Sequence, residues 1–257
     1  MNEVAGLTRI LTANHVMMGH CRIYLCAFDA AFDEMRRGLE IARRIGNHHG
    51  EMFALQSTGL CLMAAGRYRE AEDIQAQALE QARALNARRY EAIILGVCAE
   101  LALGQGNRRE ALALVREGLA ASEETSPGFV GPILYGLLGL IDTERSAREE
   151  ALAAGEALLA KGAVGHNHFW FRRYAIEGAL LRETWDEADA HADALTERTA
   201  AEPLPYSDLI VERGHILARM GRGTAGNEDC RELEAARARA AAAGYRIDAL
   251  GDALRAK

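Results

Sequence analysis

The fold is decided by residues 59–71, which read Gly-Leu-Cys-Leu-Met-Ala-Ala-Gly-Arg-Tyr-Arg-Glu-Ala. An apolar segment leads into the short sequence Ala65-Gly66-Arg67, and a charged segment with a small residue at its start follows it. This arrangement predicts two helices joined by a tight turn. We place the first helix at about 49–64 and the second at about 68–85, with Asn86 as the residue that ends the second helix.

The same features recur every forty residues along the first part of the chain. A small residue is followed by a second small residue twelve positions later, and leucine stands eight positions after that. Where two helices cross closely, a side chain larger than Gly or Ala would push the backbones apart. The leucine is expected to fill the space beneath the next pair of helices. The four sets are Gly19, Ala31 and Leu39; Gly59, Ala71 and Leu79; Ala99, Ala111 and Leu119; and Gly139, Ala151 and Leu159.

The repeat continues with less regular spacing toward the end of the chain. A fifth unit fits if it is three residues shorter, and a sixth, degenerate unit contains Gly214 and Gly226. Degeneracy at one end is expected of a capping repeat. We therefore predict a single helical repeat domain over residues 1–257. Its units lie at about 7–46, 47–86, 87–126, 127–163, 164–201 and 204–245, with a C-terminal cap at 246–257.

The segment from Gly59 to Ala78 resembles the tetratricopeptide repeat. The likeness lies in the small residue of the first helix, the Gly–aromatic turn, the alanine that opens the second helix and the late alanine. The period of forty differs from the usual ~34, and no proline ends the repeat. Long units of this kind resemble those found C-terminal to bacterial signalling ATPases, nucleotide cyclases and large transcriptional activators. The resemblance implies an all-α fold, a right-handed α-solenoid of about six antiparallel helix pairs.

Composition supports helices and limits the classes of function. Proline is confined to four positions, and the first of them is Pro127. The formal charge is −7 with dispersed basic residues, so direct binding to nucleic acid is not expected. No apolar run reaches membrane-spanning length, no signal peptide opens the chain, and the five cysteines form no CxxC pair. We expect a cytoplasmic protein with reduced cysteines and no membrane association.

The concave side of such a solenoid is the expected binding surface. Tetratricopeptide geometry implies that the first helix of each pair lines this side, at positions six and three before its small residue and one, four and five after it. An apolar floor with a few polar groups suits a peptide or a small molecule. The candidate binding residues are His20, Tyr24, Phe53, Gln56, Met63, Glu100, Trp170, Arg173, Glu177 and His215. The further positions on this side are Ala13, Val16, Ile23, Leu60, Ala64, Ile93, Gly96, Leu103, Gly104, Ile133, Gly136, Leu140, Thr143, Glu144, Leu180, Leu181, Asp208, Val211, Ala218 and Arg219.

No group of residues points to catalysis, a metal or a cofactor. The densest unusual stretch is His166-Asn167-His168, but histidines two positions apart lie on different sides of a helix. We interpret it as a helix start capped by Asn167. The sequence from Gly221 to Gly226 matches the dinucleotide-binding pattern, yet it follows a predicted helix rather than a strand. We interpret these residues as a connector.

Three functions are compatible with this reading of the sequence. The first is a non-enzymatic regulatory module that holds a peptide or protein partner in its groove, alone or as a homo-oligomer. The second is a receptor or sequestering protein with an apolar small molecule inside the superhelix, and the third is an unusual enzyme on a helical-repeat scaffold. An open groove would favour a peptide, and a closed superhelix with an enclosed pocket would favour a small molecule. An enzyme would require His, Glu and Arg groups within hydrogen-bond reach of one another.

Overall fold

A computed structural model describes residues 2–255, with side chains for residues 10–252 and 254–255. Within this range the chain forms thirteen α-helices and no strand, which confirms the all-α expectation. None of these helices has the length and apolar character needed to cross a bilayer. The helices are α1 (Asn2–Tyr24), α2 (Phe28–Ile45), α3 (His48–Ala64), α4 (Tyr68–Ala84), α5 (Arg88–Gly104), α6 (Arg108–Thr125), α7 (Pro127–Ile141), α8 (Arg145–Ala160), α9 (His166–Leu181), α10 (Trp185–Thr199), α11 (Pro205–Gly221), α12 (Asn227–Ala242) and α13 (Ala249–Arg255).

The forty-residue period is visible in the backbone of the turns. Gly66 and Gly106, in the α3–α4 and α5–α6 turns, have φ values of 74° and 87°, and Cys26 holds the equivalent place with φ 55°. Between units, Gly46 and Asn86 have φ values of 65° and 51°. This left-handed conformation is easiest for glycine and tolerated by asparagine. The residues that end the helices therefore repeat with the same spacing as the small residues within them.

The predicted small residues lie where helices cross. Ala31 and Ala71 are fully buried. A Cβ atom at Gly19 would lie 3.1 Å from the carbonyl oxygen of Ala31, so α1 and α2 approach almost to backbone contact. A Cβ atom at Gly59 would lie 2.4 Å from Nε2 of Gln75 on α4. A larger residue at Gly19 would therefore push α1 and α2 apart, and one at Gly59 would displace the Gln75 side chain.

The first and last parts of the chain meet. Each helix from α1 to α12 packs on its neighbours in the chain, and the odd-numbered helices from α1 to α11 also pack on one another. The series closes because α1 contacts α11. Tyr24 at the end of α1 lies edge-on to Tyr206 of α11, with ring centroids 5.8 Å apart. The Phe169 ring of α9 is 5.0 Å from the Tyr24 ring. The odd-numbered helices thus surround a common interior.

The segment after α12 packs across one side of this interior. The Arg246 amide donates a hydrogen bond to the Ala64 carbonyl at 3.0 Å, and the Phe28 amide donates to Ala243 at 3.2 Å. The Tyr245 ring stacks on Phe28 with centroids 5.2 Å apart. Helix α13 then contacts α5 and α9. The described part of the predicted C-terminal cap therefore ties together helices that lie far apart in the sequence.

The crossing of α7 and α9 at Gly136 provides a test of this packing. A Cβ atom there would lie 3.0 Å from Cδ2 and 3.2 Å from the carbonyl oxygen of Phe171. Because the α9 backbone cannot move aside as a side chain does, Gly136→Val should lower the free energy of unfolding by about 2–3 kcal/mol. Urea unfolding followed by far-UV circular dichroism measures this change.

Gly104 provides the control for this substitution. A Cβ atom at Gly104 would meet no atom within 4 Å, and the residue ends α5 in a helical conformation. Gly104→Ala should leave the free energy of unfolding unchanged or raise it by up to ~1 kcal/mol. Equal stability of the Gly136→Val variant and the wild type would contradict the close α7–α9 crossing.

Candidate functional site

The odd-numbered helices enclose a cavity of about 340 Å³. Five helices, α1, α3, α5, α7 and α9, supply its walls, together with the residues just before α9. Among the residues that the structure describes, its lining contains no Asp, Glu, Lys or Arg. The lining residues are Met17, His20, Cys21, Tyr24, Phe53, Gln56, Leu60, Ile93, Gly96, Val97, Phe129, Val130, Ile133, Val164, His166, Trp170 and Tyr174.

Aromatic rings form much of the cavity wall. Trp170 Nε1 donates a hydrogen bond to the Tyr24 hydroxyl at 3.3 Å, which joins α9 to α1 across the closure. Phe53 stacks on the His20 ring, with centroids 6.1 Å apart and an interplanar angle of 21°. Tyr174 lies beside Trp170, with centroids 6.4 Å apart. Rings held in fixed orientations in this way suit flat apolar molecules.

The cavity opens to solvent between α1 and the start of α9. Met17 on α1 is 52% exposed, and Val164 before α9 is 49% exposed. Cys21 is exposed as well. By contrast, Trp170 and Tyr174 are buried and form the inner end. A small molecule can therefore reach the interior past apolar side chains.

A buried ion pair supports the inner end of the cavity. Arg173 donates to both carboxylate oxygens of Glu100, at 3.0 and 2.8 Å. The Tyr174 hydroxyl donates to the same carboxylate. Burial and the Glu100 charge raise the pKa of Tyr174 well above its usual value. The guanidinium also lies 5.3 Å from the Trp170 centroid, so the network holds the inner rings from behind.

A second buried ion pair ties the C-terminal segment to the ring of helices. Arg213 of α11 donates to Glu177 of α9 and, through Nε, to Asp248 at 2.6 Å. Arg237 of α12 donates to the other oxygen of Asp248 at 2.7 Å. These bonds join α9, α11, α12 and the segment before α13. Their effect is to fix the closing elements in place rather than to present charge to the cavity.

The structure brings half of the predicted binding residues into the cavity. His20, Tyr24, Phe53, Gln56 and Trp170 line it. Of the twenty further positions predicted for this side, Leu60, Ile93, Gly96 and Ile133 line the cavity and the other sixteen do not. Glu100 and Arg173 form the ion pair behind the wall, and Glu177 belongs to the second pair.

Two predicted residues lie elsewhere. Met63 is packed in the hydrophobic core near the end of α3 and does not line the cavity. His215 contacts Asp189 of α10 through Nδ1 at 2.6 Å. Since nine residues at 100° each place His215 on the opposite side of α11 from the inward-facing Tyr206, this imidazole points away from the interior.

Eight lining residues lie outside the predicted set, and their positions show why. The cavity uses the last part of α1, the middle of α3, and the first turns of α7 and α9. The lining residues thus lie progressively closer to the N-terminal end in successive odd-numbered helices. A prediction that uses the same positions in every unit cannot follow this shift. The eight are Met17, Cys21, Val97, Phe129, Val130, Val164, His166 and Tyr174.

The stretch at 166–168 has a different role from the predicted helix cap. Asn167 is buried and donates from Nδ2 to the carbonyls of Gly128 and Phe129, at 3.3 and 3.1 Å. The residue before α9 is Gly165, and no side chain caps this helix. Asn167 therefore joins α9 to the first turn of α7. Within the described part of the chain, no three His, Cys, Asp or Glu side chains are grouped as a metal site would require.

Comparison with known proteins adds no relative. No family model matches the chain, and a search of curated proteins finds no match. The resemblance to the tetratricopeptide repeat rests on the motif residues and the succession of helices.

The Glu100–Arg173 pair gives a test of the wall behind the cavity. Replacing Arg173 with Met leaves a buried carboxylate without its cation, so the free energy of unfolding should fall by about 3–5 kcal/mol. The double variant Glu100→Gln/Arg173→Met removes both charges and should recover part of that loss. Urea unfolding of the wild type, both single variants and the double variant measures the coupling between the two residues.

Arg145→Met is the matched control, because Arg145 pairs with Glu149 on the surface with side chains 84% and 62% exposed. Such a pair contributes at most about 1 kcal/mol. A loss for Arg173→Met no larger than that for Arg145→Met would contradict the buried network. So would a double variant whose loss equals the sum of the two single losses.

Proposed function

We propose that this protein is a small-molecule receptor or sequestering protein that holds its ligand in the cavity within the odd-numbered helices. The observation that carries the proposal is the contact of α1 with α9 and α11, through Tyr24, Trp170 and Tyr206. An open solenoid offers an extended groove along which a peptide can lie. A series of helices that closes on itself leaves a compact chamber instead, which favours a small ligand.

The proposed architecture is a right-handed solenoid of antiparallel helix pairs in the manner of the tetratricopeptide repeat. Turns of three residues join α1 to α2, α3 to α4 and α5 to α6, which favours reversal of direction within each unit. The odd-numbered helices share the cavity, as the first helices of tetratricopeptide units share a concave face. In this arrangement about one superhelical turn brings the last units back to the first.

The lining defines the proposed ligand class. An apolar cavity of ~150 Å³ takes up benzene, so a cavity of about 340 Å³ fits a molecule of two or three rings. A charged ligand would lose its hydration without gaining a charged partner in the lining. The rings of Tyr24, Phe53 and Trp170 offer faces and edges for stacking. The proposed ligand is therefore neutral, largely apolar and aromatic.

Binding of the neutral fluorescent probe N-phenyl-1-naphthylamine tests this proposal. We expect its emission to rise and to saturate at one probe per chain, with a Kd on the order of micromolar. In the variant Ile133→Trp, the larger side chain fills part of the cavity, and the affinity should fall at least about tenfold. Fluorescence titration measures both.

Leu112→Trp is the control, because Leu112 is a half-buried position on α6 outside the cavity lining. Its affinity for the probe should match that of the wild type, and circular dichroism should show that both variants remain helical. Absence of saturable binding by the wild type would contradict the proposal. Equal weakening by both variants would place the probe outside the cavity.

Partner binding is the second candidate function, and the outer face of α1 favours it. Ile10, Leu11 and Met18 of α1, and Leu25 in the turn that follows it, are each between 45% and 58% exposed. Exposed apolar side chains grouped on one helix often mark a contact with another protein. If the cavity takes no probe, this face supports a regulatory module that binds a protein partner or a second copy of the chain.

A further inference from the structure

Three polar side chains interrupt the apolar lining: His20, Gln56 and His166. Two other polar groups of the wall bond to protein neighbours: the Tyr174 hydroxyl donates to Glu100, and the Tyr24 hydroxyl accepts from Trp170. Polar groups in an apolar site fix the orientation and the identity of the ligand. The hydrogen-bonding state of these three side chains therefore indicates which ligand groups the cavity accepts.

A short hydrogen-bond chain links His20 to Gln56 through Ser57. The Ser57 hydroxyl donates to Oε1 of Gln56 at 3.2 Å, and Nε2 of His20 lies 2.9 Å from the same hydroxyl. Ser57 has a single hydrogen, and when this hydrogen goes to Gln56 the Ser57 oxygen accepts from His20. In this arrangement His20 carries its hydrogen on Nε2 and leaves Nδ1 as an acceptor. The Gln56 NH₂ group is a donor.

His166 is fixed in the same tautomer by the backbone. Its Nε2 lies 3.0 Å from the carbonyl oxygen of Phe129, which can only accept a hydrogen bond. His166 therefore donates from Nε2, and its Nδ1 holds a lone pair as well. Two imidazoles on different helices, α1 and α9, thus leave acceptors for a ligand in one cavity.

Both imidazoles are held neutral by their surroundings. Burial lowers the pKa of His20 to about 4, and the nearby His166 adds to the effect. Burial also lowers the pKa of His166, and the charge of Arg89, which stacks on Phe129 at 3.6 Å, acts in the same direction. At neutral pH the two rings therefore offer lone pairs rather than positive charge.

We propose that the cavity selects a neutral aromatic compound that carries a hydroxyl group, which donates to Nδ1 of His20 or His166 and accepts from the Gln56 amide. This inference rests on the proposed function and narrows its ligand class. A hydroxyl group matches both an acceptor and a donor. An ether of the same shape matches only the donor and leaves the imidazole lone pair unsatisfied. A carboxylate would bring negative charge toward two lone pairs.

A matched set of two-ring compounds tests the proposal by displacement of N-phenyl-1-naphthylamine. We expect 2-naphthol to bind at least about tenfold more tightly than 2-methoxynaphthalene, which has the same rings but no hydroxyl hydrogen. Naphthalene should bind no more tightly than the ether, and 2-naphthoate should bind more weakly than either. Equal affinity for the naphthol and its ether, or tighter binding of the naphthoate, would overturn the proposal.

Variants of the two histidines test whether these residues cause the preference for 2-naphthol over its ether. In His20→Phe/His166→Phe, the preference for naphthol over its ether should fall below about twofold, while naphthalene binds within about threefold of its wild-type affinity. His49→Gln, at an exposed histidine before the cavity-lining part of α3, should retain the full preference. A preference retained in the double variant would contradict the assignment, and the wild-type series decides the matter if that variant does not fold.

The same measurements separate the two levels of the proposal. If neither the fluorescent probe nor naphthalene binds to the wild type, the proposed function fails. If both bind but the hydroxyl group confers no advantage, the cavity remains a small-molecule site and only the hydroxyl selectivity fails.

Discussion

The interior of this protein depends on a contact between residues far apart in the chain. The Trp170 indole donates to the Tyr24 hydroxyl across 146 positions of sequence, and Tyr206 packs on the same ring. A helical-repeat array otherwise makes contacts only between neighbouring units. This contact closes the series of helices on itself, because it places α1 against α9 and α11. The cavity exists because five helices are held around one space rather than along an open surface.

Buried ion pairs outside the cavity support this closure. Arg173 and Glu100 pair behind the inner rings, while Arg213 joins Glu177 to Asp248 of the C-terminal segment. Buried charges of this kind add little net stability compared with apolar packing, but loss of one partner is costly. Their arrangement fixes which helix faces which. The charged groups thus fix the positions of the helices, and the described residues that line the cavity include no Asp, Glu, Lys or Arg.

Local features of the sequence were enough to predict the helices and to place five of the ten candidate residues in the cavity lining. The predicted ranges 49–64 and 68–85 match His48–Ala64 and Tyr68–Ala84, because small residues and turn residues act within one unit. His20 and Trp170 line the cavity as predicted from their place in the repeat. His166 does not follow from that place. It reaches the cavity because successive units shift along the helix axes, and the size of such a shift is set by packing between units rather than by any one repeat.

The closure of the array could not be predicted from the sequence either. It depends on the summed rotation of about five units, so a small change at each crossing would open or close the array. Close approaches such as that of Gly136 to Phe171 set these rotations. The chemistry of the lining follows from closure, because only a closed array places His20 of α1 and His166 of α9 in one cavity.

The most direct measurement is a crystal structure of the protein soaked with 6-bromo-2-naphthol, with the bromine located by its anomalous scattering. We expect one bromine peak per chain inside the cavity, among Tyr24, Phe53 and Trp170, with α1 still in contact with α9. An array that is open between α1 and α9 would contradict it, as would bromine bound only on the outer surface of the helices.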